Sequence, residues 1–241
     1  MHRVAHRGYS AVAPENTLPA FAAAVRAGAT HVEFDVRTTA DGVPVVIHDR
    51  TLDRTTSGTG HVWDAAAADV RALDAGAWFS PAYTGVRVPT LAETLDLLAE
   101  PGPALLLEIK PPATLDQVKA IVELVAERGL PARTLVQSFD PEVVGLVRSA
   151  APDVRRGLLR MSFPADAVEL ARELGVVCCN PPVADVLAAP ERVAELAAHG
   201  IEVMPWTAND IAQWPALAAA GAAGLITDRL GELTGWAAGP A

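Results

Sequence analysis

The sequence predicts an α/β protein, a (β/α)8 TIM barrel with an extra hairpin strand and a small insertion after strand 2. Three observations carry that prediction. Short β-branched and apolar runs alternate with Ala/Leu-rich stretches along the 241 residues. From residue 104 onward the apolar runs begin at 104, 133, 154, 176, 201 and 223. That rhythm leaves room for one crossover helix between strands and so implies a parallel sheet. Nine strands are expected, and one of them folds back as an antiparallel partner, which leaves the eight of a closed barrel.

The elements follow in order. A first strand is expected over 2–6 and a helix over 16–28, with Asn16 or Thr17 able to cap it. The second strand spans 31–37. Only Thr38-Thr39-Ala40-Asp41-Gly42 separates it from the next apolar run at 43–47. Asp-Gly is a strong hairpin signal and the link is too short for a parallel crossover, so 43–47 pairs back antiparallel on the second strand. Residues 49–90 fit no βα unit. They carry an acidic helix candidate at 64–74 and the aromatic residues Trp63, Trp78, Phe79 and Tyr83. A long insertion after a charged strand end suits a lid or side wall. Regular βα alternation then resumes, with helices at 91–99, 114–128, 141–150, 165–174, 190–199 and 209–220 and strands at 104–109, 133–137, 154–158, 176–180, 201–206 and 223–226. A doubly wound open sheet is the competing fold, but it wants a Gly-rich first turn, and His6-Arg7-Gly8-Tyr9-Ser10 is not one. Residues 1–241 are expected to form a single catalytic domain that contains the 49–90 segment.

Composition bounds the function. Hydrophobic residues make up 51% and charged residues 20%, ample for a sizeable core. A net charge of −10 repels a polyanion, so no nucleic-acid partner is expected. Met1-His2-Arg3-Val4 leads directly into a strand without an apolar signal segment. The uncharged stretch near the C-terminus carries Pro215, Gly221 and Gly224 and reads as helix, turn and strand, not as a membrane span. Cys178 and Cys179 are chain neighbours, too close for an ordinary disulfide, and read as reduced core thiols of a cytoplasmic protein. Nothing in the composition bears on oligomeric state.

In a barrel, chemistry collects at the carboxyl ends of the strands. Those ends are polar here: His6-Arg7, Glu33 with Asp35, His48-Asp49, Glu108-Ile109-Lys110, Gln137-Ser138-Phe139 and Trp206-Thr207. Glu33 and Asp35 are two apart on a strand and share a face, with Val32, Phe34 and Val36 opposite; Glu108 and Lys110 repeat the pattern. Three carboxylates converging in a barrel mouth need positive charge. One divalent ion, Mg²⁺ or Ca²⁺, is the economical source, because an all-oxygen set favours hard ions. The competing reading is a structural network in which Arg7 and Lys110 alone neutralise the acids. His6 and His48 are the candidates for proton transfer. The hairpin returns position 48 to near the level of Asp35, over the site from the side opposite strand 1. Arg7 and Lys110 are the cations available to a phosphate. Gln137, Phe139 and Trp206 are candidate members of a substrate wall or supporting layer. The Gly58/Gly60 loop is a weak phosphate signal, since no helix start follows it.

The ordered series His6-Arg7-Gly8, Pro14-Glu15-Asn16-Thr17, Glu33-x-Asp35, His48-Asp49 and Glu108-x-Lys110 resembles the signature of the glycerophosphodiester phosphodiesterases. Leu52-Asp53-Arg54-Thr55-Thr56-Ser57-Gly58-Thr59-Gly60, Leu73-Asp74-Ala75-Gly76, Pro89-Thr90-Leu91 with Glu93, Ser138-Phe139, Trp206-Thr207 with Asn209, and Gly224-Leu225-Ile226-Thr227-Asp228 extend the similarity over nearly the whole chain. The resemblance implies a barrel with Glu33, Asp35 and Glu108 as metal ligands, His6 and His48 as acid and base, and Arg7 and Lys110 on the phosphate. It adds Glu15 as a candidate. The implied reaction is hydrolysis of a small glycerophosphodiester to glycerol 3-phosphate and an alcohol. Leu230 departs from the pattern, where the family often has proline.

Other functions compete for the same residues. Glycoside hydrolysis uses paired carboxylates but needs no Arg7/Lys110 cluster. A zinc amidohydrolase wants His-x-His on strand 1. A lysophospholipase D-like enzyme would share the site and show apolar insertion residues, for which Trp78, Phe79 and Tyr83 are eligible. A non-catalytic phosphate-binding barrel would be expected to lack a histidine or an acid that this chain retains.

Overall fold

The Asp41-Gly42 turn does what its chemistry requires. Gly42 takes φ +82°, and β1 (His2–Ala5), β2 (His31–Thr38) and β3 (Pro44–Val46) open the chain, with β3 antiparallel to β2 through Val36↔Val46 and Thr38↔Pro44. Six further strands follow: β4 (Ala104–Ile109), β5 (Thr134–Ser138), β6 (Arg155–Leu159), β7 (Cys178–Asn180), β8 (Glu202–Val203) and β9 (Gly224–Thr227). The computed structural model describes residues 1–99 and 102–239. Strand order is β8-β7-β6-β5-β4-β2-β1-β9, all parallel, with β3 off the path. Ala223 N donates to Val203 O at 2.9 Å and Ile226 N to Pro205 O at 3.1 Å, which ties β9 to the β8 segment and closes the barrel. This is the (β/α)8 barrel that the strand spacing predicts.

Helices α1 (Leu18–Arg26), α2 (Ala67–Ala72), α3 (Leu91–Leu98), α4 (Leu115–Glu127), α5 (Pro141–Ala150), α6 (Ala167–Leu174), α7 (Val183–Ala188), α8 (Glu191–Ala198), α9 (Trp214–Ala219) and α10 (Leu230–Ala238) cover the outside. Val32, Phe34 and Val36 pack outward with Leu105, Leu107, Ile109 and helix residues such as Leu91 and Leu95. The opposite faces fill the barrel: Val4, Leu106, Leu135, Cys178, Met204 and Ile226 form the inner cluster. Gly157 makes room there, since a Cβ on it would lie 2.8 Å from Leu135. Among the described residues no helix is long and apolar enough to cross a membrane.

Several boundaries differ from expectation for identifiable reasons. The strand expected at 201–206 is regular only over Glu202–Val203: Met204 N turns to the Asn180 side chain, Pro205 has no N–H to give, and pairing beyond them is reduced to the Pro205 carbonyl and an isolated Pro182–Trp206 bridge. The helix expected from 209 begins at Trp214, because Pro215 fits only the first turn of a helix. Neither Asn16 nor Thr17 caps α1 through its side chain. Thr17 sits at the N-cap, but its hydroxyl donates to Pro14 O at 2.6 Å, and the Asn16 amide reaches Asp35 instead. The acidic helix expected at 64–74 splits into a 3-10 turn at Val62–Asp64 and the short α2. Helices α7 and α10 were not anticipated. Leu230, the residue that departs from the resemblance, opens α10 and is fully buried.

At the amino end of the barrel, His31 stacks edge-on against His2, with ring centroids 4.4 Å apart. Burial, with His2 and Arg155 adding to it, pulls His31 down to about 4. The folded state therefore binds fewer protons than the unfolded chain between that value and 6.5. The sign follows directly: stability is intact above the unfolded value and is lost as pH falls through the window. On the order of 2 kcal/mol is at stake after discounting partial exposure. Urea unfolding of the wild type and His31→Gln at pH 7 and pH 4.5 should show the variant losing less stability on acidification. Equal losses would sink the assignment.

Candidate active site

The ladder between β2 and β4 sets Asp35 directly beside Glu108, with Glu33 one interior position below on β2. All three are buried, and one carboxylate oxygen from each lies within 4.8 Å of the others. Lys110 Nζ sits 2.9 Å from Asp35 Oδ1 and 2.6 Å from Glu108 Oε1. Arg7 Nε is 3.4 Å from Asp35 Oδ2. Asn16 clamps the same residue reciprocally: its amide donates to Asp35 Oδ2 at 2.7 Å, and its Oδ1 accepts from Asp35 N at 3.2 Å. Arg7 and Asn16 both hold left-handed backbone, φ +55° and +57°. Asparagine tolerates that region; for arginine it is costly. At Arg7 it aims the amide N at Glu33 Oε2, 2.8 Å away.

Charge in this cluster is unbalanced. Burial pushes Glu33 well above the usual carboxyl range, with Asp35 and Glu108 adding to the push. Burial, then the Asp35 charge, carries Glu108 up to about 8. Burial works in the same direction on Asp35, but Lys110 and Arg7 outweigh it and hold Asp35 well below its ordinary value. Burial opposes the Lys110 ammonium, and the Asp35 and Glu108 charges more than restore it. Glu108 Oε1 and Arg7 Nε, both buried, have close ion-pair neighbours but no hydrogen-bond partner of proper geometry. Three buried carboxylates that converge with one oxygen each, Glu108 Oε1 having only the Lys110 ammonium beside it, form an all-oxygen set that fits a hard divalent cation held by Glu33, Asp35 and Glu108.

Two imidazoles stand over the cluster, each backed by a carboxylate. His6 Nδ1 donates to Asp228 Oδ1 at 2.7 Å. Asp228 also accepts from Ser10 Oγ at 2.9 Å and from Asn209 Nδ2 at 2.6 Å. Burial opposes the Asp228 charge, yet its bond to His6 and the other donors hold it down to about 2. His48 Nδ1 donates to Asp49 Oδ1 at 2.7 Å. Burial lowers the proton affinity of His48, and Lys110 and Arg7 add to that against Asp35 and Asp49. With Nδ1 committed to a carboxylate, each ring keeps Nε2 for chemistry. The antiparallel register places His48 here: Ile47 N donates to Asp35 O at 3.0 Å, so position 48 returns to the level of the acids.

A cleft of about 330 Å³ opens above. His6, Arg7, Glu33, His48, Glu108 and Lys110 line its polar side, and Gln137, Phe139, Leu159, Met161 and Trp206 much of the rest. Phe139 and Trp206 meet edge to face at 5.4 Å, with Lys110 Nζ 5.7 Å from the Phe139 ring centre. Gln137 accepts from Asn180, and Trp206 Nε1 donates to Asn180 O. Glu15 lies behind Arg7, accepting its Nη1 at 2.8 Å. The structure thus brings every sequence-nominated residue to one end of the barrel. Trp78, Phe79 and Tyr83 pack on one another in the insertion and do not line this cleft. The Gly58 and Gly60 turn does not line it either; Gly58 N is spent on Thr56 Oγ1.

Sequence reasoning passed over Asp228, Asp49 and Arg54 as partners. Asp228 carried a signal, because it directly follows β9 and so occupies a strand end. Arg54 carried only its place in the Leu52–Gly60 stretch of the resemblance; its partner Glu15 lies 39 residues away, and its loop has no strand periodicity to point there.

Two cations and two carboxylate-backed imidazoles around an acidic triad, at the carboxyl mouth of a barrel, suit a phosphodiester substrate. The sequence model of the Glycerophosphoryl diester phosphodiesterase family matches residues 6–232, and the chain belongs to that family. A glycerophosphodiester phosphodiesterase of Caldanaerobacter subterraneus is 33% identical over 227 residues, covering 93% of each chain. The structure of an Oleispira antarctica phosphodiesterase in complex with the product sn-glycerol-3-phosphate is 30% identical, with a TM-score of 0.90 over 96% of this chain and 94% of that one. A glycerophosphodiester phosphodiesterase from Agrobacterium tumefaciens superimposes with a TM-score of 0.85 at 30% identity, covering 98% of this chain and 100% of that one.

Proposed function

We propose that the chain hydrolyses glycerophosphodiesters to glycerol 3-phosphate and an alcohol, by acid/base catalysis with His6 and His48 beside a divalent ion. The observation that carries this reading is the opening of both carboxylate-backed imidazoles onto the cleft that holds the acidic triad. Arg7 and Lys110 draw the phosphodiester in, the first through a planar donor fork and the second as a point charge. One imidazole takes the proton of the attacking oxygen at its free Nε2. The bond from phosphorus to the leaving alcohol breaks, and the other ring, protonated, gives its proton to that oxygen. The attacking oxygen belongs to water, or to the substrate's own 2-hydroxyl, in which case water then opens the cyclic phosphate to give glycerol 3-phosphate. Glu33, Asp35 and Glu108 would hold Mg²⁺ or Ca²⁺, which supplies a counter-charge to the phosphate oxygens.

Glycerophosphocholine incubated with the protein and either ion should release glycerol 3-phosphate. Chelation should stop the release, and added ion should restore it. Silence across several glycerophosphodiesters with both ions would defeat the reading. Lysophosphatidylcholine run in parallel separates the lipid-directed alternative, whose supporting aromatics lie away from the cleft.

A further inference from the structure

Arg54 projects from the inserted segment and is 45% exposed. Its loop is tied down by its own hydrogen bonds: Leu52 N donates to Gly60 O, and Gly60 N to Asp53 Oδ2. The guanidinium holds two carboxylates at once. Nε and Nη2 donate to the two oxygens of Asp49 at 2.7 and 2.9 Å. Nη1 and Nη2 donate to the two oxygens of Glu15, both at 2.8 Å.

The oxygens shared at Nη2 carry the argument. Glu15 Oε1 also accepts from Arg7, and Asp49 Oδ1 also accepts from His48. One nitrogen therefore joins the chain Arg7–Glu15–Arg54–Asp49–His48, which runs from the phosphate cation on the loop after β1 to the imidazole after β3. Each loop is anchored separately on β2, Arg7 at Glu33 and Asp35 and Ile47 at the Asp35 carbonyl; the side-chain fork adds a direct tie between them. We infer that Arg54 is a positioning residue, which fixes the spacing between Arg7 and His48 and so makes the inserted segment a working part of the site. The inference rests on the proposed diester hydrolysis.

The fork is what matters. An ammonium in the same place supplies the charge but cannot grip two carboxylates bidentately. Arg54 itself is largely exposed, and each carboxylate keeps a second partner, Arg7 for Glu15 and His48 for Asp49, so the loss should appear more in turnover than in stability.

The test is steady-state kinetics on glycerophosphocholine with saturating Mg²⁺, alongside thermal unfolding. Arg54→Met should lower kcat/KM roughly 10- to 100-fold, with a melting temperature within about 3 °C of wild type. Asp49→Asn should act mainly on kcat, Glu15→Gln mainly on KM, and Arg54→Met on both. Arg54→Lys should track Arg54→Met. The Asp49→Asn/Arg54→Met double variant should fall little below the worse single, as members of one chain do. Arg54→Met kinetics within twofold of wild type would overturn the inference, as would full rescue by lysine, multiplicative losses in the double variant, or activity lost in step with stability. A wild-type chain inert to every diester sinks the proposed function and this inference with it. Active wild type with an indifferent Arg54 sinks the inference alone.

Discussion

Glu108→Ala should lose turnover by roughly a thousandfold or more while the barrel still folds. The substitution removes one of three converging oxygens and leaves Lys110 facing Asp35 alone. Its effect on the apo fold should be small, because it deletes a carboxyl that burial disfavours in its charged form and Lys110 keeps Asp35 as its partner. Ion binding should separate the two proteins. Wild type should gain thermal stability with added Mg²⁺ or Ca²⁺ as the logarithm of ion concentration once this exceeds Kd, and Glu108→Ala should gain none. The measurement is glycerol 3-phosphate release together with melting temperature across an ion titration. Activity within tenfold of wild type, or an unchanged ion response, would count against a ligand role for Glu108.

His6→Ala and His48→Ala should each cost on the order of 10² to 10⁴ in kcat with little change in ion affinity. The carboxylates behind the rings should matter less than the rings themselves. Asp228→Asn leaves His6 in place but weakens the bond that sets its tautomer, and a loss of about 10- to 100-fold is expected. Leaving-group dependence assigns the roles. With an aryl diester, whose leaving oxygen needs no proton, the variant of the general acid recovers most of its rate and the variant of the base does not. If both recover equally, or neither does, the division of labour between the two rings is wrong.

Much of this site was legible because strand geometry is local. Glu33-x-Asp35 and Glu108-x-Lys110 show their shared faces through a period of two, and the Asp41-Gly42 turn implies the fold-back that brings His48 over the acids. Motif order along the chain carried the family resemblance. The supporting layer was a different matter. Asn16 reads as a helix cap, yet its amide binds Asp35 across 19 residues. His6 finds Asp228 across 222 residues, through the closure of β1 against β9. Boundaries at Pro205 and Pro215 moved where a missing N–H overruled apolar periodicity.

By itself, then, the amino-acid order determined the barrel, its hairpin and the residue types offered to the mouth, because backbone pattern and turn chemistry act between near neighbours. The tertiary structure alone decided which of those groups touch: Asp35 level with Glu108, a carboxylate behind each imidazole, and Arg54 bridging two loops. Those contacts depend on strand register and ring closure, which bring together side chains far apart in the sequence and bury charges that no local pattern reports.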